Sequence, residues 1–366
     1  MIATFKNGTP GRQARSPLAL VAAMTLPLAL AACSDSGPGP SAESGIDYDS
    51  LSVDELYEGA KEEGKVVVNN GASPEEMEVI AEKFHELYPG IEIEHFEQQG
   101  EDSAAKLLAE ANAGVYETDL LDTEQNSAYA IAQEGLLAEY APPVAENFDD
   151  RLKQPWFTGH RIQIKAITYN TEKVSEADAP DDYQDLLDPK WKGRLCVEES
   201  EVSTFADMLQ DMGREEGIAY WKDLHETNEI QFIKGQGAVV ESVIAGECHV
   251  SVAANVHSTS QAIEEGAPIK WVKTDPLYAN FGAVGVVKNA PHPYAARLWV
   301  NYLLSDDGQQ SVANDWRIPA NQEVQPKQPD LQQGTYNMVL AGEEVMKNFS
   351  EYNSLFYETT GRPVVG

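Results

Sequence analysis

Four short polar stretches stand where an apolar, β-branched run gives way to an amphipathic one: residues 69–73, 122–126, 199–204 and 255–258. They carry Asn70, Gly71 and Ser73, then Thr123, then Ser203 and Thr204, then Asn255, His257 and Ser258. Side chains of this kind make hydrogen-bonding cradles. A helix that begins in such a stretch leaves its first N–H groups without intrahelical acceptors. Those groups, with the positive end of the helix dipole, suit an anion. Gly71 permits close approach of the backbone to a ligand. For Ser73, Ser203 and Ser258 plain helix capping is the alternative, and capping is compatible with ligand contact. His160, Arg161, Lys234 and Arg317 could face the same ligand or make surface ion pairs. Trp156, Trp271 and Phe281 could wall a pocket or belong to the core.

Motifs for other chemistry are absent. There is no HExxH, no GxSxG, no GxxxxGK[ST], and no GxGxxG opening a helix after a strand. A secreted hydrolase is the weaker reading, and we expect no enzyme. The net charge of −34 disfavours nucleic acid, which needs Lys and Arg to displace counterions. The acids are spread along the chain, as a solubilising surface requires. Cys196 and Cys248 form an even pair, each in a strand-like run; they are a disulfide or two buried thiols. Neither has the spacing of a metal site.

The elements that must position these residues alternate. Residues 56–63 read as a helix closed by Gly64, and 65–68 as a strand. Ser73, Pro74 and Glu76 mark a helix start with a capping box. Strand 91–96, helix 104–113 and strand 119–122 follow, a β-α-β-α-β order that predicts a parallel sheet. A second block repeats it: strand 191–198, helices 204–212, 217–226 and 238–245, strand 249–254, a helix with Ser258 at its N-cap and Gln261 as its partner, and strand 268–272. Runs 162–169 and 281–287 link the blocks, as two hinge strands between α/β lobes would.

The N-terminus gives an address. Lys6, Arg12 and Arg15 precede an apolar run from Leu18 to Ala32, too short to span a bilayer. It ends in Leu30-Ala31-Ala32-Cys33, which resembles the lipobox of bacterial lipoproteins. That resemblance implies a signal peptide at 1–32, lipidation of Cys33, a flexible tether over 33–54, and a mature chain exported and held at the outer face of the cell membrane, or periplasmic. An anionic mature chain gains nothing from anionic headgroups, so the lipid does the anchoring.

An ordered set of motifs resembles a larger family. LYEGAKEEGKVVV from Leu56, FHELYPGIEI from Phe84, AEANAGVYETDLLD from Ala109, EGLLAEYAP from Glu134, ITYNT from Ile167, DPKWKGRLCV from Asp188 and GVVKNAPHPYAARLWVNYLLSDDGQ from Gly285 are similar to type II periplasmic-binding-protein sequences, in particular receptors for ferric iron and small solutes. The resemblance implies an α/β, two-lobed solute-binding receptor of an ABC importer. Lobe 1 would take 55–165 and 275–312, and lobe 2 would take 166–274 and 313–366. The receptor closes on one solute and presents it, as a monomer, to the ABC permease subunits. Asn255 and His257 fall where ferric relatives carry adjacent metal-binding tyrosines, and no Tyr-Tyr pair occurs here. The expected ligand is therefore a small anion or zwitterion on Asn70, Gly71, Ser73, Thr123, Arg161, Ser203, Thr204, Asn255, His257, Ser258 and Tyr278. No cofactor is expected. If Fe(III) is the cargo, Tyr169, His257 and Tyr278 are its ligands.

Overall fold

The polar stretches prove to be the joins between strands and helices, and their geometry decides what they can hold. The computed structural model describes residues 46–98 and 100–364. Residues 1–32, Cys33 and the tether as far as residue 45 lie outside the described residues. So do Gln99, residues 365–366 and the side chains of Glu75, Glu76 and Glu101. The Glu76 half of the expected capping box is therefore not described.

Helix α1 (Val53–Glu63) opens on a capping box, in which the Glu55 N–H donates to Ser52 and the Ser52 N–H donates to Glu55, and Gly64 closes it at a φ of 78°. Strand β1 (Lys65–Asn70) leads to α2 (Pro74–Leu87), β2 (Glu92–Glu97), α3 (Gly100–Ala113), β3 (Leu120–Glu124) and α4 (Gln125–Gln133). β1 pairs parallel with β2 and with β3, as the order of elements predicts. The short β4 (Lys153–Gln154) precedes a long β5 (Phe157–Asn170).

The second block is β6 (Leu195–Glu198), α5 (Val202–Met212), α6 (Arg214–Asn228), β7 (Gln231–Ile233), α7 (Gln236–Ala245), β8 (Val250–Asn255), α8 (Val256–Glu264) and β9 (Ile269–Trp271). Here β6 pairs parallel with both β7 and β8. Strand β10 (Leu277–Val286) then returns to the first block, followed by α9 (Pro293–Leu304), α10 (Asp306–Asn314), β11 (Ile318–Pro319), β12 (Met338–Leu340), α11 (Glu343–Lys347) and α12 (Phe349–Thr359).

The sheet runs β2-β1-β3-β10-β5-β8-β6-β7. Its middle pair, β10 and β5, is antiparallel, and each also runs antiparallel to the parallel trio beside it. Two triads thus flank a two-stranded bridge. The fold is α/β with two lobes, and the bridge strands join them.

The apolar cores follow this division. One gathers Leu56, Val66, Phe84, Leu120, Trp299 and Tyr302, and β5 contributes Phe157, Ile162 and Ile164 to it. The other gathers Leu186, Leu195, Phe205, Trp221 and Val250, and β5 contributes Ile167 and Tyr169. β5 is buried along almost all of its length, its first part in one core and its last part in the other. The segment 313–366, assigned whole to the second lobe from sequence, divides between them: Ile318, Leu331 and Leu340 enter the first core, Phe356 and Tyr357 the second. Cys196 and Cys248 are joined in a disulfide with a Cα separation of 5.9 Å. It ties β6 to the start of β8.

Two helix starts differ from expectation. The N-cap of α8 is Asn255, so Ser258 lies inside the first turn. The N-cap of α5 is Glu201, whose carboxylate accepts the Thr204 N–H, so Ser203 is also inside. Extended backbone at Asn255 and the long apolar run of β8 carry the strand directly into the helix and leave no room for a serine cap.

Candidate ligand cleft

β3 and β8 end beside the middle of the bridge, Glu124 opposite Gly282 and Asn255 opposite Lys165, and the carboxyl ends of strands are where open α/β sheets bind ligands. A cavity of about 570 Å³ lies there. The first lobe supplies Gly71, Ala72, Asp122, Thr123, Glu124 and Ser127. The second supplies Glu198, Ser200, Glu201, Ser203, Asn255 and His257. Arg317 and Asp315, an ion pair at 3.3 Å, come from the turn after α10.

The floor is built by period two. Arg161, Gln163 and Lys165 line the cleft from alternate positions of β5, and Asn280 lines it from β10 opposite Gln163. The ladder slips at one place: Gly282 faces Arg161 while Ala283 faces Gly159. His160 is the extra residue of this β-bulge, and the bulge turns it to the same side as Arg161. Both side chains then reach Asp122. Arg161 Nη1 donates to Asp122 Oδ1 at 2.9 Å, and His160 Nε2 lies 3.0 Å from the same oxygen.

The charges in the cleft are tuned by this packing. Burial alone would raise the Asp122 carboxyl, but Arg161 and His160 outweigh it and hold Asp122 well below the usual carboxylate range. Burial lowers His160 and, with Arg317, Lys165 and Arg161 nearby, lowers His257 further, so both imidazoles are neutral. Burial raises Glu124, and the neighbouring Glu201 and Glu198 add to the rise against Lys165 and Arg161. Lys165 Nζ lies 3.3 Å from Glu201. Glu198 is satisfied by the Ser200 N–H and hydroxyl and by the Gly235 N–H.

Among the helices that begin at the cleft without a side-chain cap are α4, after Glu124, and α8, after Asn255. One belongs to each lobe. Buried polar atoms at the cleft also lack partners among the described residues: both amide atoms of Asn280, Asn255 Oδ1 and His160 Nδ1. Such groups are costly unless something hydrogen-bonds to them.

Of the residues proposed from sequence, Gly71, Thr123, Arg161, Ser203, Asn255 and His257 line the cleft. Others stand behind it. Asn70 is buried and holds the Ala72 N–H and His95. Thr204 is buried and donates its hydroxyl to Glu201. Ser73 and Ser258 do not line the cavity. Tyr278 is packed in the second core with its hydroxyl 3.1 Å from Asp211, and Tyr169 is in the same core. No tyrosine lines the cleft, and among the described residues no group of three His, Cys, Asp or Glu side chains is placed to hold a metal. Lys234 does not line it either, and Trp271 and Trp156 pack against the first core. Sequence reasoning missed Glu124, Gln163, Lys165, Glu198, Glu201 and Asn280. The alternation through 161–165 was the available signal.

Known proteins share this architecture. Iron uptake protein A1 of Synechocystis is 23% identical over 298 residues, 76% of this chain and 76% of that protein. Iron-bound HitA from Pseudomonas aeruginosa superposes with a TM-score of 0.71 at 19% identity, covering 81% of this chain and 99% of HitA. AfuA from Actinobacillus pleuropneumoniae, with fructose-6-phosphate bound, superposes at 0.70 with 21% identity, covering 82% and 98%. The model of the bacterial extracellular solute-binding proteins matches residues 79–336. The chain therefore belongs to that family, and it has the two-lobed fold of periplasmic binding proteins.

Proposed function

We propose that this chain is the receptor of an ABC importer for a small organic anion, which it captures in the cleft by hinge closure and delivers to a membrane permease. One observation carries the ligand class. The uncapped starts of α4 and α8, one from each lobe, open onto a floor that presents Arg161 and Lys165 and no tyrosine. Among the described residues Arg161 spends only Nη1 on protein acceptors. Its Nε and Nη2 remain for a carboxylate or phosphate, which a guanidinium binds in a fork. Export by a signal peptide, lipidation at Cys33 and a monomeric state complete the proposal.

Native mass spectrometry of the protein purified from its own host tests it. An organic anion of a few hundred daltons is the expected adduct. A bare ferric adduct overturns the reading.

The names of the relatives favour a second reading, Fe(III) as cargo. A hard ferric ion seeks anionic oxygens. Here those are carboxylates such as Asp122, Glu124 and Glu198, with neutral His257 beside them. On this reading Fe(III) binds without the visible charge-transfer band of phenolate ligation. Absence of any Fe(III) binding by calorimetry removes it.

A further inference from the structure

We propose that the occupant of the cleft is amphoteric: an organic anion that also carries an ammonium group, with the anion on Arg161 and the ammonium on Glu124. The inference deepens the organic-anion reading and rests on it.

Charge is the first argument. The acidic side chains that line the cleft are Asp122, Glu124, Glu198, Glu201 and Asp315; the permanently basic ones are Arg161, Lys165 and Arg317. The two imidazoles are neutral. A ligand that is only anionic would enter a site where acids already outnumber bases. An attached cation removes that penalty, because opposite charges interact strongly where water is excluded.

The acids are not equivalent. Asp122 is held by Arg161 and His160. Glu201 is held by Lys165, Gln236 and the Thr204 N–H. Glu198 takes backbone N–H groups and a hydroxyl, and Asp315 pairs with Arg317. Glu124 alone of the five has no hydrogen-bond donor among the described residues. Burying a carboxylate without donors is costly, and an ammonium with three N–H groups is the partner it lacks.

Asn280 is the independent second observation. It is 1% exposed, it lines the cleft, and both of its amide atoms lack partners among the described residues. Glu124 and Arg161 face Gly282 from opposite sides of the ladder, and Asn280 is two residues along the same face of β10. The carboxylate, the amide and the guanidinium therefore stand side by side on adjacent strands, with Glu124 and Arg161 about 10 Å apart at Cα. A short chain with an ammonium at one end and a phosphate, phosphonate or carboxylate at the other spans them. The Asn280 amide can accept from the ammonium and donate to the anion.

Calorimetry with matched pairs decides it: O-phosphoethanolamine against ethyl phosphate, and β-alanine against propionate. In the unaltered protein the amine-bearing member of at least one pair binds tenfold or more tighter than its amine-free partner. In Glu124→Gln the preference disappears, which a general loss of structure would not produce, since both members would then weaken together. Equal affinity within the pairs, or a preference that survives Glu124→Gln, overturns the inference and leaves the organic-anion reading standing. No binding of any of the four at millimolar concentration overturns both.

Discussion

Gly282 matters for what it lacks. A Cβ at this position would sit 2.5 Å from Cζ of Arg161, so the guanidinium lies directly over the backbone on its way to Asp122. Gly282→Ala displaces Arg161 without touching the ligand. Its affinity for the anionic solute falls tenfold or more, about 1.4 kcal/mol, in a calorimetric titration. Tyr278→Phe makes the opposite case. Its hydroxyl serves Asp211 inside the second core, so affinity stays within about twofold, whereas a phenolate ligand would take binding with it. Sequence logic placed Tyr278 at the cleft because it stands just before a hinge strand. Tyr278 shares the face of Asn280 and pairs with Lys165, but it lies toward the end of β10 that enters the second core, where packing covers it, while Ala279 and Phe281 on the other face fill the first core. Gln163 and Lys165 were hidden for another reason. Their run was legible as a strand, but which face met solvent depended on pairing with β10 and β8, which no local pattern states. His160 could not have been aimed correctly at all, because a bulge is a property of two strands together.

Among the elements, the joins were the most legible part and the caps the least. The alternation of strands and helices follows from turn residues and apolar period, so the first parallel trio could be drawn from the chain alone; in the second, the three-residue β7 was too short to show a period, and the strand read at 268–272 is β9, which pairs antiparallel with β5. Whether a helix starts at Ser258 or three residues earlier depends on how far β8 extends before it bends. One junction away from the cleft makes a pH-dependent prediction. At the end of α1, Glu63 accepts the N–H groups of Tyr294 and Ala295 at the start of α9. Burial pushes its carboxyl up to about 7, against those hydrogen bonds and the nearby His292. A carboxyl raised on folding favours the protonated native state. Its contribution is complete below the unfolded value of 4.5 and is lost as pH rises through about 7. Glu63→Gln keeps an acceptor and removes the titration. Melting curves should therefore show the unaltered protein losing stability relative to the variant between pH 4.5 and 7, and matching it below. The disulfide belongs to this scale too. It spans 52 residues and links β6 to the start of β8. Reduction should cost about 2–4 kcal/mol of stability, read from the urea midpoint.

Over the whole molecule the net charge of −34 sets how an anionic solute arrives. The field repels it at a distance, although the cleft floor attracts it nearby. Raising salt from about 10 to 150 mM shortens the screening length from roughly 30 to 8 Å. Stopped-flow association of an anionic ligand should accelerate over that range, where a basic receptor would slow. The bridge strands have a consequence of another kind. β5 and β10 bond to each other over 158–165 and 278–284, and each is flanked by a further strand. They run beneath the cleft and through both cores. If the lobes swing about them, the pivot is the best-protected ladder in the protein and the motion is a twist, with no hydrogen bonds broken. Deuterium uptake should then be slowest at the amides of 162–166 and 279–284, with or without ligand. The amides that gain protection on binding should be those of 198–201 and 255–257, at the rim. A receptor built this way can close many times without its backbone ever opening at the hinge.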